Sequence, residues 1–182
     1  WSSDVCSSDP DEPAVDKDGR AAKYTRPKGR TGFFYPARTR DDGRLRDAST
    51  TLYLVEGEKK AMATDQLGYA TVGFLGVWAF HDGDLRHDPD ARDWRLHPWF
   101  AEDLVLLDRD VVLVPDADAG TKKQVYDAVA RTVSMLRGAG VRSVRVVTVP
   151  PRDGHKGWGI DDLLADQGEA AARAVLDAPV DF

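Results

Sequence analysis

Four short apolar runs along the chain have the pattern of buried β-strands. They cover residues 52–57, 70–76, 110–114 and 141–149 and are rich in Val and Leu. Continuous apolar runs of this length indicate strands that are covered on both faces, as in a parallel sheet. Because helical patterns separate the runs, the chain predicts an α/β domain with an open parallel sheet of about four strands flanked by helices.

Helical patterns occupy most of the intervals between these strands. The clearest covers residues 120–137, where apolar residues recur at near i+4 spacing and Gly138 follows. Further helices are predicted over residues 58–67, 100–107, 160–164 and 169–176. Residues 78–99 mix His and Asp without the spacing of a metal-binding motif, so an insertion loop or lid is expected there.

Acidic residues follow two of the predicted strands. Glu56 comes at the end of the first, and Asp116 and Asp118 come directly after the third. The functional crevice of an open parallel sheet lies beyond the carboxyl ends of its strands, so the three acids are expected to converge. Their oxygens suit Mg²⁺ or Mn²⁺, with Glu56 completing the metal shell or moving a proton. The alternative is that each Asp caps the helix that follows it.

This arrangement resembles the Toprim domain, a metal-dependent, Rossmann-like catalytic module of bacterial primases, type IA and type II topoisomerases and some nucleases. The resemblance covers roughly residues 50–167 and rests on a strand-Glu-Gly-helix unit and a later strand that is followed by DxDxG, residues 116–120. Three segments are most similar to one branch, a Toprim-like domain-of-unknown-function family of phage, plasmid and integrative-element primase and helicase proteins. These segments are VEGEKKA (residues 55–61), GFLGVW (73–78) and GIDDLL (159–164).

The resemblance implies a Mg²⁺-dependent domain of a DNA replication protein that performs primase-type nucleotidyl transfer as part of a larger protein. The implied partners are DNA or RNA, nucleoside triphosphates and a helicase. Two alternatives stay open: phosphodiester hydrolysis at the same metal site, and a non-catalytic module that binds nucleic acid or a helicase. A topoisomerase is disfavoured because no residue here points to its active-site tyrosine.

Four residues are auxiliary candidates for the same site. Lys59 and Lys60 could hold a phosphate, although lysines in a first helical turn are also ordinary surface charges. The resemblance to primase-type proteins adds Lys156 and Asp162, and the alternative for Asp162 is a helix cap.

The first 49 residues have a composition of their own. Residues 1–9 resemble a translated sequencing adapter and are expected to be non-native, which would place the true N-terminus upstream and make Cys6 an artefact. Residues 10–49 are acidic and then basic, and a flexible or hairpin region is expected before a Toprim-like domain at residues 50–182.

Residues 17–46, the basic segment, carry ten Lys or Arg against three Asp and several aromatic residues. Basic side chains neutralise phosphates and aromatic rings stack on unpaired bases, so the segment is a candidate single-strand binding track. The candidate residues are Arg26, Lys28, Arg30, Phe33, Tyr35, Arg38 and Arg40. Alternatively, Phe33, Phe34 and Tyr35 form a small strand packed on the domain.

The overall composition limits the remaining function classes. The chain is 42% hydrophobic and has a net charge of −6, which argues against a uniformly basic coat that binds nucleic acid. No apolar run approaches the length of a membrane span, so a cytoplasmic protein without a membrane partner is expected. Apart from Cys6 there is no cysteine, which leaves no Cys-based zinc site.

Overall fold

The computed structural model of the chain describes residues 33–76, 96, 104–120, 122–155 and 157–182. Within these residues, six strands form one mixed sheet in the order β1-β3-β2-β4-β5-β6. The strands are β1 (Phe33–Phe34), β2 (Leu52–Glu56), β3 (Ala70–Phe74), β4 (Asp110–Val114), β5 (Ser143–Val146) and β6 (Val180–Asp181).

The four central strands, β3, β2, β4 and β5, are mutually parallel, and the two-residue strands β1 and β6 lie antiparallel at the edges. The predicted α/β class is therefore confirmed, and the sheet is two strands larger than expected. Two-residue strands are too short to show a periodic pattern, so the sequence did not reveal β6. The possibility that Phe33 and Phe34 form a small strand on the domain is the arrangement observed.

Helices flank the sheet: α1 (Ala37–Asp41), α2 (Glu58–Gln66), α3 (Lys123–Gly138) and α4 (Ile160–Leu176). Helix α3 begins later than predicted because a 3₁₀ turn, Ala117–Gly120, follows β4. Helix α4 joins two predicted helices across a kink at Gly168, whose φ is +84°. None of the helices in the described ranges is long and apolar enough to cross a bilayer.

The prediction of a helix over residues 100–107 is wrong for residues 104–107, the part of this range that the structure describes. Residues 104–107 have no helical structure. Leu104 and Leu106 are buried while Val105 and Leu107 are exposed, so their side chains alternate as they do in an extended chain. Residues 100–103, and residues 78–99 apart from Leu96, lie outside the described residues.

Each face of the sheet has its own apolar cluster. On one face, Leu52 and Leu54 of β2 pack with Val133 and Leu136 of α3. On the other, Tyr53 and Val55 pack with residues of α2 and α4, including Ala61, Ile160 and Leu163. Adjacent strand residues point to opposite faces, which explains why the central strands β2, β3 and β4 are buried along nearly their whole length, whereas burial alternates along β5.

Two buried polar groups attach residues 39–50 to the sheet. The guanidinium of Arg109, fully buried just before β4, donates hydrogen bonds to the backbone carbonyls of Arg44, Leu45 and Thr50. The backbone N–H and the hydroxyl of Thr39 both donate to the buried carboxylate of Asp65. The segment between β1 and β2 is therefore part of the folded domain.

Candidate functional site

Glu56 and Asp116 lie at the same edge of the sheet because their strands are neighbours. β2 and β4 pair in parallel with Val55 opposite Val114, and the two acids follow these positions at the carboxyl ends. The two strands are therefore neighbours, as convergence of these acids requires. Glu56 and Asp116 are each partly buried, at the place where an open parallel sheet has its functional crevice.

A tight turn at Gly57 brings helix α2 to this edge. Gly57 has a φ of +93°, which favours glycine, and its N–H donates to the carbonyl of Phe74 at 2.8 Å. Helix α2 then crosses β3 closely, since a Cβ on Gly73 would lie 2.8 Å from the Cβ of Ala61. The first turn of α2, with Lys59 and Lys60, is thereby placed beside Glu56.

Lys60 forms an ion pair with Asp116 across the crevice. The Lys60 ammonium donates to Oδ1 of Asp116, and the two side chains are only 17% and 15% exposed. The alternative that Lys60 is an ordinary surface charge is therefore not what the structure shows, whereas Lys59 is exposed. A cation already neutralises the carboxylate that the sequence assigned to metal binding.

The loop before α4 contacts the residues that follow β4. The N–H of Ala117 donates to the carbonyl of Trp158 at 3.0 Å, and a Cβ on Gly157 would lie 4.0 Å from Oδ2 of Asp116. Trp158 is buried, with the guanidinium of Arg152 4.8 Å from its ring centroid. Arg152 also pairs with Asp166 at 2.5 Å, and this hydrogen bond lowers the pKa of the Asp166 carboxyl.

Gly159 and the two aspartates that follow it complete the site. A Cβ on Gly159 would lie 2.6 Å from Cε of Lys60 and 2.9 Å from Oδ1 of Asp161, so a larger residue would displace one of them. Oδ2 of Asp162 accepts a hydrogen bond from the Gly159 N–H at 3.1 Å, which is the helix-cap alternative for Asp162. The auxiliary candidate Asp162 is therefore the capping aspartate, and Asp161 was not predicted from the sequence.

Asp161 differs from its neighbour because its Oδ1 is buried with no hydrogen-bond partner in the described part of the chain. Nearly all buried polar atoms in proteins are hydrogen-bonded, so this oxygen requires an explanation. No sequence signal distinguishes Asp161, since an acid in a first helical turn is common.

Several candidates lie outside the described residues. They are the side chain of Asp118, all of Lys156, and Arg26, Lys28 and Arg30. Within the described ranges, no three His, Cys, Asp or Glu side chains are grouped as a metal site.

The described residues of the basic segment lie on the β3 side of the site. Phe33 of β1 and Glu56 of β2 both lie opposite Phe74 of β3, which runs between them. Phe33 is therefore two strands away from Glu56 and at the same end of the strands. The rings of Phe33 and Tyr35 pack partly against the core. Arg38 and Arg40 of α1 are exposed, and Arg40 pairs with Asp41 at 2.8 Å.

Comparison of the fold with solved structures finds a similarity to "Crystal structure of a DNA primase domain from Pseudomonas aeruginosa". The TM-score is 0.50 at 18% sequence identity, over 93% of this chain and 50% of that one. The chain therefore spans half of the primase domain it matches, and at this identity the similarity concerns the fold. A search of curated proteins finds no match.

The candidate site lies entirely within the part of the chain that matches a family model: Glu56, Lys60, Asp116 and Asp161 are all inside the matched range. The profile of a family described as "Domain of unknown function (DUF3854)" matches residues 44–171, which is well over half of the sequence, and the chain belongs to that family.

Proposed function

We propose that this chain is a Toprim-like, Mg²⁺-dependent domain of a cytoplasmic DNA replication protein and performs primase-type nucleotidyl transfer. One observation carries the proposal: two carboxylates, those of Glu56 and Asp116, lie at the carboxyl ends of neighbouring parallel strands. The similarity of the fold to a DNA primase domain supports the same function.

The residues at the crevice fit a divalent cation. Carboxylate oxygens are hard ligands of the kind Mg²⁺ prefers. The Lys60 ammonium on Asp116 acts as a stand-in ion, which indicates that this position favours positive charge. Asp116 and Glu56 would hold the metal with Asp118, and the metal would polarise phosphoryl oxygens and neutralise the triphosphate.

The protein's own residues have distinct tasks in the proposed transfer. The 3′-oxygen of one nucleotide forms a bond to the α-phosphorus of the next, the bond to the bridging oxygen breaks, and pyrophosphate leaves with the electron pair. Glu56, partly exposed at the end of β2, would complete the metal shell or, if it does not bind the metal, accept the proton of the 3′-hydroxyl. Lys59, on the exposed side of the first turn of α2, would contact phosphate oxygens.

The test is primer synthesis on a single-stranded template with labelled nucleoside triphosphates, Mg²⁺ and the protein. We expect products that lengthen with time, and their loss in Glu56→Gln. Cleavage of the labelled template without extension would instead identify the hydrolytic alternative. If the parent protein gave neither extended nor cleaved product, catalysis at this site would be contradicted.

A non-catalytic module is the second candidate, and one observation favours it: the Lys60 ammonium already neutralises Asp116, so this carboxylate has a cationic partner without a metal. Such a module would bind single strands equally well with Mg²⁺ or with a chelator. The enzyme proposal instead requires a calorimetric Mg²⁺ signal that disappears in Asp116→Asn.

The basic segment is proposed to bring single-stranded nucleic acid, or a helicase-bound strand, to the site. It joins the sheet at Phe33, at the edge that carries Glu56. If it tracks phosphates, affinity for single strands should fall with salt at a log–log slope of about −0.7 per phosphate neutralised. The five-fold charge mutant should flatten that slope; its substitutions are Arg26→Ala, Lys28→Ala, Arg30→Ala, Arg38→Ala and Arg40→Ala.

The matched comparison is Phe33→Ala or Tyr35→Ala. Because these rings pack against the core, their removal should lower thermal stability. If they also stack on bases, binding should weaken by about 1–3 kcal/mol with little change of slope. Unchanged binding by the charge mutant across the salt series would place any nucleic-acid contact elsewhere.

A further inference from the structure

The Lys60 side chain forms an ion pair with Asp116 and passes close to a second carboxylate, that of Asp161. Its ammonium is on Asp116, while its Cε and Oδ1 of Asp161 lie 2.6 Å and 2.9 Å from the same point, the position where a Cβ of Gly159 would be. Nζ is bonded directly to Cε, and the lysine stem has several rotatable bonds. Rotation of the stem can therefore carry the ammonium from Asp116 towards Asp161 without movement of the backbone.

Oδ1 of Asp161 is able to accept a hydrogen bond from the Lys60 ammonium. It is buried and has no hydrogen-bond partner among the described residues, whereas the neighbouring Asp162 is occupied as the helix cap. A buried carboxylate oxygen without a donor is unfavourable, and it becomes favourable when an ammonium reaches it. Gly159 keeps the path open, because any side chain there would collide with both groups.

We propose that Asp161 is the second binding position of the Lys60 ammonium: when a divalent cation takes the Asp116 carboxylate, Lys60 moves to Oδ1 of Asp161. The inference rests on the proposed function, since it requires a cation at Asp116. Asp161 is then a positioning residue that acts through Lys60. It receives the positive charge that the metal displaces and leaves Asp116 available to the metal.

The same exchange explains how the site tolerates the metal-free state. Clustered acids repel one another without a cation, and the Lys60 ammonium holds Asp116 in place until a metal arrives. After the exchange each charge again has a partner of opposite sign, so neither state leaves the Lys60 ammonium unpaired in a largely buried position.

A double-mutant cycle followed by calorimetric titration with MgCl₂ at fixed pH tests the exchange. The proteins are the parent, Asp161→Asn, Lys60→Met and the double variant. We expect Asp161→Asn to weaken Mg²⁺ binding roughly tenfold, because the displaced ammonium loses a charged hydrogen-bond acceptor. In the Lys60→Met background the same change should alter affinity by less than about twofold, since no ammonium needs a second position.

Glu169→Gln is the matched control, because it removes one acidic charge from an exposed position on the same helix. Equal effects of Asp161→Asn in both Lys60 backgrounds would overturn the exchange, since Asp161 would then act by direct attraction or by helix capping. Mg²⁺ binding with this coupling but without primer synthesis would support the exchange and refute the transferase. The parent's failure to bind Mg²⁺ would refute both.

The side-chain NMR signal of Lys60, assigned by comparison with Lys60→Arg, gives a readout that needs no mutation at Asp161. Addition of Mg²⁺ to the parent should change the chemical shift of this signal. It should also produce a nuclear Overhauser effect between the Lys60 side-chain protons and the protons of Asp161. A signal that stays unchanged at saturating Mg²⁺, or that shows a freely solvated ammonium, would overturn the proposal.

Discussion

Replacing Arg109 with Met should destabilise the fold strongly, because this buried guanidinium binds backbone carbonyls of the segment between β1 and β2. The guanidinium is fully buried and donates to the carbonyls of Leu45 and Arg44, each at 2.6 Å, and to that of Thr50 at 2.8 Å. Met fills part of the same volume but offers no donor. The three carbonyls would then stay buried without partners, or the segment that carries them would detach.

The expected cost follows from the kind of hydrogen bond that is lost. A hydrogen bond to a charged group contributes about 1.5–3 kcal/mol, and the guanidinium's desolvation offsets part of the sum, so we expect a loss of about 4 kcal/mol. For a domain of this size, that corresponds to a fall in melting temperature of about 8–16 °C. Thermal and urea unfolding followed by circular dichroism measure it directly.

Arg142→Met is the matched control, because Arg142 pairs with Asp110 beside the same strand but is half exposed. Solvent screens an exposed pair and leaves it little net effect on stability, so this variant should unfold within a few degrees of the parent. If Arg109→Met melted within about 2 °C of Arg142→Met, Arg109 would not hold the segment between β1 and β2, and the reasoning would be refuted.

Three further predictions concern separate parts of the domain. Asp116→Asn should lose the calorimetric Mg²⁺ signal and keep its circular dichroism spectrum; an unchanged affinity would remove this residue from the site. The hydrogen bond from Arg142 holds the pKa of Asp110 at about 2, below its ordinary 3.8, so its stabilisation is present above about pH 4 and lost as pH falls through 2. Urea titrations from pH 5 to pH 2 should show a shallower fall for Asp110→Asn, and parallel curves would contradict the assignment. Thr39→Val should cost about 2 kcal/mol because the buried Asp65 carboxylate loses a donor, and amide exchange in residues 33–46 should become faster; unchanged exchange would refute this role.

Much of the sheet could be predicted because its strands are marked locally. β4 has the predicted bounds, Asp110–Val114, since its apolar residues, 111–114, are followed directly by Pro115. β5, Ser143–Val146, is shorter than the predicted segment, residues 141–149, because strand pairing, not composition, decides where a strand ends. The helix predicted over residues 104–107 was wrong because the alternating burial of these residues depends on packing against residues far away in the sequence, such as Leu52 and Leu54.

The sequence named Glu56, Asp116 and Lys60 as site candidates, but it revealed neither the Lys60–Asp116 ion pair nor the buried oxygen of Asp161. Glu56 and Asp116 follow strands, and a strand end is visible in the sequence. Lys60 and Asp161 acquire their environment from contacts made across the fold, because Lys60 pairs with a residue 56 positions away. Arg109 is similar, since its acceptors are about 60 residues earlier in the chain and a charged residue before a strand is typical of the surface.

The most direct test of the account is a crystal of the protein soaked with MnCl₂, examined by anomalous diffraction. We predict a manganese peak between the carboxylates of Asp116 and Glu56, with oxygen distances of about 2.1 Å, and a Lys60 ammonium that no longer contacts Asp116. A map without a peak at this edge of the sheet, in which Lys60 still holds Asp116, would contradict the metal-dependent site.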